Sequence, residues 1–532
     1  MRPVPQTLTT VRVRRSSVAL GIAGFALLGS TIACSDDASS APACSGAECA
    51  VADGGGDAGE GGKGPEAPAC DLREKSARKF SCLIDEAYAV FVDGTRGADT
   101  NAGTREAPFR TIGKALASLK ETQAHVMVCV GTYAERIRIG RPQDGVRLHG
   151  GLDCNVWTYT PNGRAIVESA DAEDVRTVLE VRDLSTGAFV EDFVFRAKDA
   201  RAPSRSSVAI VASRATLLEL LSVEVFAGKG LAGAAGTDRS DIEGAAPIGS
   251  NVGATNAVVN ACGGASSTGG AGGVAASGAG QRGLPSITPP FPDATFDGNG
   301  GGANADCDSG GRGRNGSFGV GGAGGEGASI VGSVNETGFV PIDGAPGGDG
   351  GPGQGGGGGS GRSGFAGSSG GAGGCGGLGG GAGQAGGGSI GVAAWQTQID
   401  VQNTTFTVSE AGNGGAGGRG QKAQAGGLGA SGAFGACASG SGGPGGSGGG
   451  GGGGAGGTAA AIAWAGDFPP RIEGVRHANA PTLPEATLPT RVATPGSGGA
   501  GGAAALTSPV PSRAGASGTG GVPGVTQAVL PL

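Results

Sequence analysis

Cysteine, carboxylate and histidine are the side chains here that could do chemistry, and their spacing narrows what that chemistry can be. The 532-residue chain carries eleven cysteines and three histidines. Cys34 stands apart, behind a basic cluster and an apolar run. Ten cysteines remain, an even number that suits disulfides in an oxidising compartment. Pairing between sequence neighbours is the expectation: Cys44 with Cys49, Cys70 with Cys82, Cys129 with Cys154, Cys262 with Cys307, and Cys375 with Cys437. None of these has the Cys-x-x-Cys spacing of a zinc or redox site, so neither metal nor cofactor is expected. His125 and His149 flank apolar segments without partners at ligand spacing. Asp93, Asp99 and Asn101 form an oxygen-rich cluster that would suit calcium, but Asp and Asn more often close turns through nearby backbone, which is the reading adopted. The net charge is −7 with 16% charged residues, which lacks the basic footprint that nucleic acid requires.

The elements that must position these residues begin with a leader. Arg12, Arg14 and Arg15 precede an apolar core over 18–29, too short to span a bilayer comfortably, and Ser30-Thr-Ile-Ala-Cys34 follows. This resembles the lipobox of bacterial lipoproteins, in which the cysteine thiol takes a diacylglycerol and the peptide is cut before it. Thr31 departs from the usual Leu, Val or Ile. The resemblance implies lipidation at Cys34, and Ser35 after it implies the outer membrane or cell surface. Cleavage removes four arginines and no acids, moving the net charge from −7 to −11. Residues 34–69 are Ala, Gly, Ser, Asp and Pro with almost nothing apolar, which reads as a flexible tether.

After the tether, residues 89–116 run from an apolar strand through a Gly-, Asp- and Asn-rich turn. Beyond Pro108 an amphipathic helix places Ile112, Ala115, Leu116 and Leu119 on one face. Val126-Met-Val-Cys-Val130 then reads as a buried strand, and Gly131-Thr-Tyr-Ala-Glu135 leads into Ile137-Arg-Ile139. The string from Val92-Asp-Gly-Thr to Gly-Thr-Tyr-Ala-Glu135, with Leu148-His-Gly-Gly151 and Trp157 beyond it, resembles the entry segment of pectin-lyase-like proteins. It covers roughly residues 89–150. The resemblance implies an all-β fold, a right-handed parallel β-helix whose first coil is capped by the short helix. It says nothing specific about activity.

Internal repetition points the same way. Val178, Val181, Phe193 and Phe195 align with Val208, Val211, Val223 and Val225 at a period of thirty, and the pattern returns around Ile390–Val408 and Ala461–Val475, with Trp395 matching Trp464. Apolar residues alternating with Glu or Thr is a strand pattern, and units this small must stack to bury their faces. The expected order is a signal peptide over 1–33, the tether over 34–69, stacked rungs over 70–227, a glycine-rich insertion over 228–388, and one rung over 389–410. A second insertion over 411–457, a last rung over 458–480 and a low-complexity tail over 481–532 follow. The insertions hold much of the 119 glycines. Two states are open for them: disorder, because glycine loses most entropy on ordering, or extended glycine strands packed side by side in a relative of polyproline II. Their composition resembles the glycine-rich repeats of PGRS-like surface proteins.

Enzymes of the pectin-lyase-like superfamily cleave acidic polysaccharides, which needs carboxylates on neighbouring rungs. In the columns that the repeat defines, Glu180 lies over Ile210, Asp192 over Ser222 and Glu224 by Val194, so no acid meets an acid. Asp297-Gly-Asn-Gly with Asp308 resembles only part of an EF-hand loop, and Gly301 breaks it. Trp395 and Trp464 read as filling or covering the stack. The expected function is a lipid-anchored structural or adhesive surface protein without a catalytic site. Its partners would be the membrane, extracellular polysaccharide or other surface proteins, and not nucleic acid. The alternative is a polysaccharide lyase or hydrolase, which requires Glu191, Asp192, Glu219 and Glu224 to converge in one cleft.

Overall fold

A computed structural model describes residues 70–532, apart from 72–73, 170–176, 252–255, 277, 288–295, 434, 474, 477–489, 492–493, 495 and 505–513. The leader, Cys34, the tether, Cys44 and Cys49 lie outside the described residues. Among those described, no helix is long and apolar enough to cross a membrane.

The chain is all-β, built on three mainly parallel sheets. The chain visits them in rotation. His125–Cys129 enters the first, Gly131–Ala134 the second and Ile137–Ile139 the third. Arg147–Leu152, Ala165–Glu168 and Leu179–Arg182 make the next layer, pairing in parallel with the one before. Ala188–Glu191, Phe193–Arg196 and Ser207–Ser213 follow, then Leu217–Leu221, Glu224–Ala227 and Ser389–Trp395. Gln398–Gln402, Thr405–Val408 and Ala459–Ala465 make the fifth layer. Ala89–Val92 forms the edge of the first sheet beside His125–Cys129, and the single described α-helix, Ile112–Ala117, packs Ile112, Ala115 and Leu116 into the same core. All three sheets feed that core. Leu148, Val190, Leu220 and Val401 come from the first, Val167, Phe195, Val225 and Phe406 from the second, and Val181, Ile210, Val392 and Ile462 from the third. Strand spacing near 4.8 Å lets each aliphatic side chain rest on the one a layer away, which is where burial is gained.

The corners stack as well. Asp192, Ser222 and Asn403 all take positive φ at the bend from first to second sheet, and Asn403 Nδ2 donates to Ser222 Oγ at 2.9 Å. Small polar side chains tolerate this left-handed turn by bonding locally.

The period of thirty holds for the second sheet, where Phe195 pairs with Val225, but slips in the third. There Leu179 pairs with Ile210, so Val178 does not share a column with Val208, whose partner is Ile390. The cause is one extra residue in the turn Asp183–Gly187, compared with Arg214–Leu217 a layer later. A one-residue slip exchanges faces. Val178 lies in the central core, while Val208 and Ile390 lie in an outer cluster. The same slip puts Glu180 over Val211; a separate register between Ser389–Trp395 and Ala459–Ala465 sets Trp395 beside Ala465 instead of Trp464. Trp464 faces the core; Trp395 faces outward beneath Arg214, 5.5 Å from its guanidinium. The outer cluster is covered by the hairpin Gly332–Asn335 and Gly338–Pro341, whose Val334 and Phe339 pack on Val208, Val211 and Ile390. The third-sheet strands Ser207–Ser213, Ser389–Trp395 and Ala459–Ala465 are therefore buried on both faces and read as continuous apolar runs. A further correction concerns the segment read as a low-complexity tail. Thr526–Pro531 pairs in parallel with Ala459–Ala465, with Val529 in the core and Leu530 in the outer cluster.

The glycine-rich segments leave after Glu224–Ala227 and Thr405–Val408 and return as Ser389–Trp395 and Ala459–Ala465. Between these points they pack as extended strands bonded through their backbones. In the strand 438–457, Gly442, Gly445, Gly448, Gly451 and Gly454 donate to Gly427, Gln424, Gln421, Gly418 and Gly415. Gly443, Gly446, Gly449 and Gly452 donate to Gln354, Gly351, Gly348 and Ala345, and Gly450, Gly453 and Gly456 to Ala516, Thr519 and Val522. Donors thus turn to a new neighbour at each residue and return every third, the screw of polyproline II. A Cβ on Gly448, Gly449 or Gly450 would meet the carbonyl oxygens of Leu378, Ala323 or Gly502 at 1.9, 1.9 or 2.2 Å. Earlier in the file of Gly450, Gly453 and Gly456, which face 496–502, stand Ser447, Pro444 and Ser441. Side chains return on that face before its glycine neighbours begin.

Two disulfides brace these segments, and both correct the neighbour rule. Cys262 joins Cys375 and Cys307 joins Cys437. Packing sets the partners: the hairpin Val259–Cys262 with Ala265–Thr268 lies against 367–388, where Asn260 Nδ2 donates to Gly373 O, and Ser360 links Ala305 and Cys437.

Candidate functional site

The polar side chains of the first sheet's outer face collect under a strap, residues 74–84. Cys70–Cys82 closes the strap on itself, and Cys129–Cys154 lies in the face below. Ala77, Leu83 and Ile84 pack on Phe91, Met127, Cys129, Leu152 and Trp157, a second apolar cluster outside the central core. Beside it runs a buried polar column. His125 pairs in register with Arg147, and Met127 with His149, which pairs with Glu191. Arg147 Nη1 lies 3.1 Å from His125 Nε2, His125 Nδ1 is 2.9 Å from His149 Nε2, and His149 Nδ1 is 3.1 Å from Glu191 Oε2. A guanidinium can only donate, and an ionised carboxylate can only accept. Donor logic therefore assigns one direction: Arg147 to His125, His125 to His149, His149 to Glu191, with both imidazoles neutral.

The strap completes the column. Ser76 Oγ donates to Glu191 Oε1 at 2.5 Å, and Tyr159 to Oε2 at 3.4 Å. Burial pushes Glu191 up, but the bonds from His149 and Ser76 outweigh it and hold the carboxyl below its ordinary range. Burial holds His149 below its ordinary value against the pull of Glu191. His125 is pushed down to about 3, by burial first and then by His149 and Arg147. Arg78 Nε donates to Asp192 Oδ2 at 2.8 Å, and Arg164 Nη1 stands 3.2 Å from Oδ1 at an angle that makes an ion contact but no hydrogen bond. Burial still raises Asp192 to about 6 against both arginines.

Past the strap's edge the same sheet face opens into a groove of about 310 Å³, lined by Lys75, Lys79, Phe80, Phe189, Glu219 and Asp400 among others. Glu219 pairs in register with Asp400 on the next strand and forms an ion pair with Lys75. An acid does therefore stack on an acid, contrary to expectation. The signal is present in the sequence, where Leu218-Glu-Leu220 and Ile399-Asp-Val401 share one apolar–acid–apolar frame, but the period of thirty rests on other strands.

The four carboxylates required for a single cleft do not meet. Glu191 and Asp192 are buried under the strap, Glu219 lines the groove, and Glu224 sits on the second sheet beside Val194 and Thr405. Asp93 accepts from the Thr95 and Arg96 amides and from Arg96 Nε, Asp99 from Arg110, Thr111 and the Thr111 hydroxyl, and Asn101 donates to Pro108 O. These groups close turns. Asp93 also lies near Cys129 and Cys154, whose sulfurs are joined to each other, which leaves one carboxylate and no ligand set. Asp297 accepts from Asn299 and contacts Arg314, while Asp308 pairs with Arg312, so neither forms a calcium loop with the other. Sequence reasoning missed Lys75, Arg78 and Arg147, because nothing local marks which outward side chains a distant strap will cover.

Residues 95–150 match the model of a family described as a protein of unknown function (DUF1565), associated with parallel β-helix proteins. The chain is similar to that family over this entry segment. No curated protein and no solved structure matches.

Proposed function

We propose that this chain is a right-handed parallel β-helix displayed on the outer surface of the cell by a lipid on Cys34, with a structural or adhesive role. What supports the reading is the glycine lattice. Its backbone groups are consumed by its own strands, and what it offers outward is a rigid body with a three-residue surface repeat. Such a surface suits many weak contacts to extracellular polysaccharide or to other surface proteins, without a catalytic cleft. Metabolic labelling with a radiolabelled fatty acid, followed by fractionation, tests the anchor. Wild type should label and sediment with membranes, whereas Cys34→Ala should do neither. A variant that still carries label would defeat it.

One observation favours a second reading, a polysaccharide hydrolase or lyase. Glu219 and Asp400 stack in a groove that also offers Phe80 and two lysines. On this reading purified protein releases reducing or unsaturated ends from an acidic polysaccharide, and Glu219→Gln or Asp400→Asn abolishes the release. That pair of results would replace the adhesive reading.

A further inference from the structure

Burying two histidines, a glutamate and an aspartate is costly unless each is paired, and apolar residues would hold a strap at least as well. The column is also brittle in one specific way. Every ring nitrogen of His125 and His149 is committed, with Arg147 donating at one end and Glu191 accepting at the other. A proton added to either imidazole turns an acceptor into a donor. On His125 it would point Nε2–H at the Arg147 guanidinium, and on His149 it would point Nε2–H at the donor of His125. Neither ring can take a proton without breaking the chain of bonds. The strap reads this chain directly, because Ser76 shares Glu191 with His149, and the Glu74 carbonyl accepts from the same Arg147 nitrogen that faces His125.

We propose that residues 74–84 are an acid-released latch, opened when the His125–His149 pair takes up a proton. The charged and titratable groups around the pair come from each packed element. The sheet supplies Arg147 and Glu191, the strap Glu74, Lys75, Ser76 and Arg78, and the segment after Leu152 supplies Tyr159, with Arg164 reaching Asp192. The signs separate. The closed form holds both histidines below their ordinary values, so the closed strap is at full strength above about pH 6.5 and weakens as pH falls below it. Asp192, raised to about 6, works the other way and favours closure as pH falls from 6 towards 4, so its single proton opposes two. Burial raises Tyr159, which stays protonated throughout. Opening lays the column bare at the edge of the Glu219–Asp400 groove and so lengthens it, while Cys70–Cys82 keeps the strap a closed loop.

The test is amide exchange of the full, oxidised chain at pH 7.5 and pH 5.0, corrected for intrinsic rates. Protection over 74–84 should fall roughly 90-fold when both imidazoles titrate near 6.5 on opening, and roughly 3-fold when only one does, after the roughly 10-fold that Asp192 restores, while Ser389–Trp395 keeps its protection. In the His125→Asn/His149→Asn protein the fall should vanish. A strap equally protected at both pH values in wild type overturns the latch by itself, even if the double variant does not fold. So does a fall that persists in a folded double variant, or one matched by Ser389–Trp395.

Discussion

At the scale of single residues, two side-chain environments make opposed demands. Glycine in the lattice is fixed by distance: a Cβ on Gly449 would stand 1.9 Å from the Ala323 carbonyl oxygen, whereas on Gly302 the nearest atom is at 3.7 Å. Gly449→Ala must push two strands apart and lose hydrogen bonds on both sides, so it should cost about 3 kcal/mol or more, while Gly302→Ala should fall within about 0.5 kcal/mol of wild type. Urea denaturation of both variants measures the difference; equal stabilities would mean that the lattice yields to a methyl group. Asp192 illustrates the other demand. Its folded value near 6 lies above its ordinary value of 3.8, so the folded state binds the proton first. Its contribution is therefore most favourable below about pH 4 and is lost as pH rises through 6. Asp192→Asn should remove that slope. A stability–pH curve between 4 and 7 unchanged by the substitution would show that Asp192 does not titrate there.

At the scale of elements, the strands were legible and their register was not. Leu148-His-Gly-Gly151, Phe193-Val-Phe195 and Ile390-Gly-Val392 each lie within a strand, because alternating or continuous apolar runs report burial directly. The slip at Asp183–Gly187 was invisible because a turn one residue longer leaves composition unchanged. The hairpin over Gly332–Pro341 escaped notice for another reason: it lies inside glycine-rich sequence, and only the apolar outer face of the third sheet, created by three distant strands, gives it something to bury. The site was half legible. Glu219 and Asp400 share a frame, but the strap that pairs Lys75 with Glu219 acts across 144 residues. Cys70–Cys82 and Cys129–Cys154 follow the neighbour rule, whereas the partners of Cys262 and Cys307 depart from it for a related reason: packing between glycine strands, and not sequence distance, brings those sulfurs together. Cys262–Cys375 and Cys307–Cys437 close loops of 113 and 130 residues. Loops of that size imply about 4–5 kcal/mol of chain-entropy stabilisation each. The Cys262→Ser/Cys375→Ser protein should accordingly lose several kcal/mol in guanidinium unfolding under oxidising conditions, and a loss below about 1 kcal/mol would place the stabilisation in the glycine strands themselves.

At the scale of the whole molecule, the question is whether sheets and lattice can stand apart. Ordering glycine is expensive, about 1–2 kcal/mol of backbone entropy per residue, and hydrogen bonds return only about 0.5–1.5 kcal/mol each. A lone glycine strand cannot form on those terms. It becomes ordered only when several strands already stand in place, and their positions are set by where they leave and enter the sheets. The strand 411–432 begins at Thr405–Val408, takes bonds from 438–457 and gives them to 367–388, whose far end becomes Ser389–Trp395. Strand 438–457 runs directly into Ala459–Ala465, and 514–524 into Thr526–Pro531. These three lattice strands are thus covalent continuations of sheet strands. Losing a sheet layer removes the anchor of its glycine strand, and losing that strand leaves donors on several others unpaired. The two bodies should therefore unfold together. Native-state amide exchange under rising denaturant should give Gly448, Gly451 and Gly454 the same opening free energy as Val392 and Ile462, and the same denaturant dependence. If the glycine amides opened at a free energy several kcal/mol lower, with the valine and isoleucine amides still protected, the lattice would be a separately melting appendage and the coupling argued from its connections would fail.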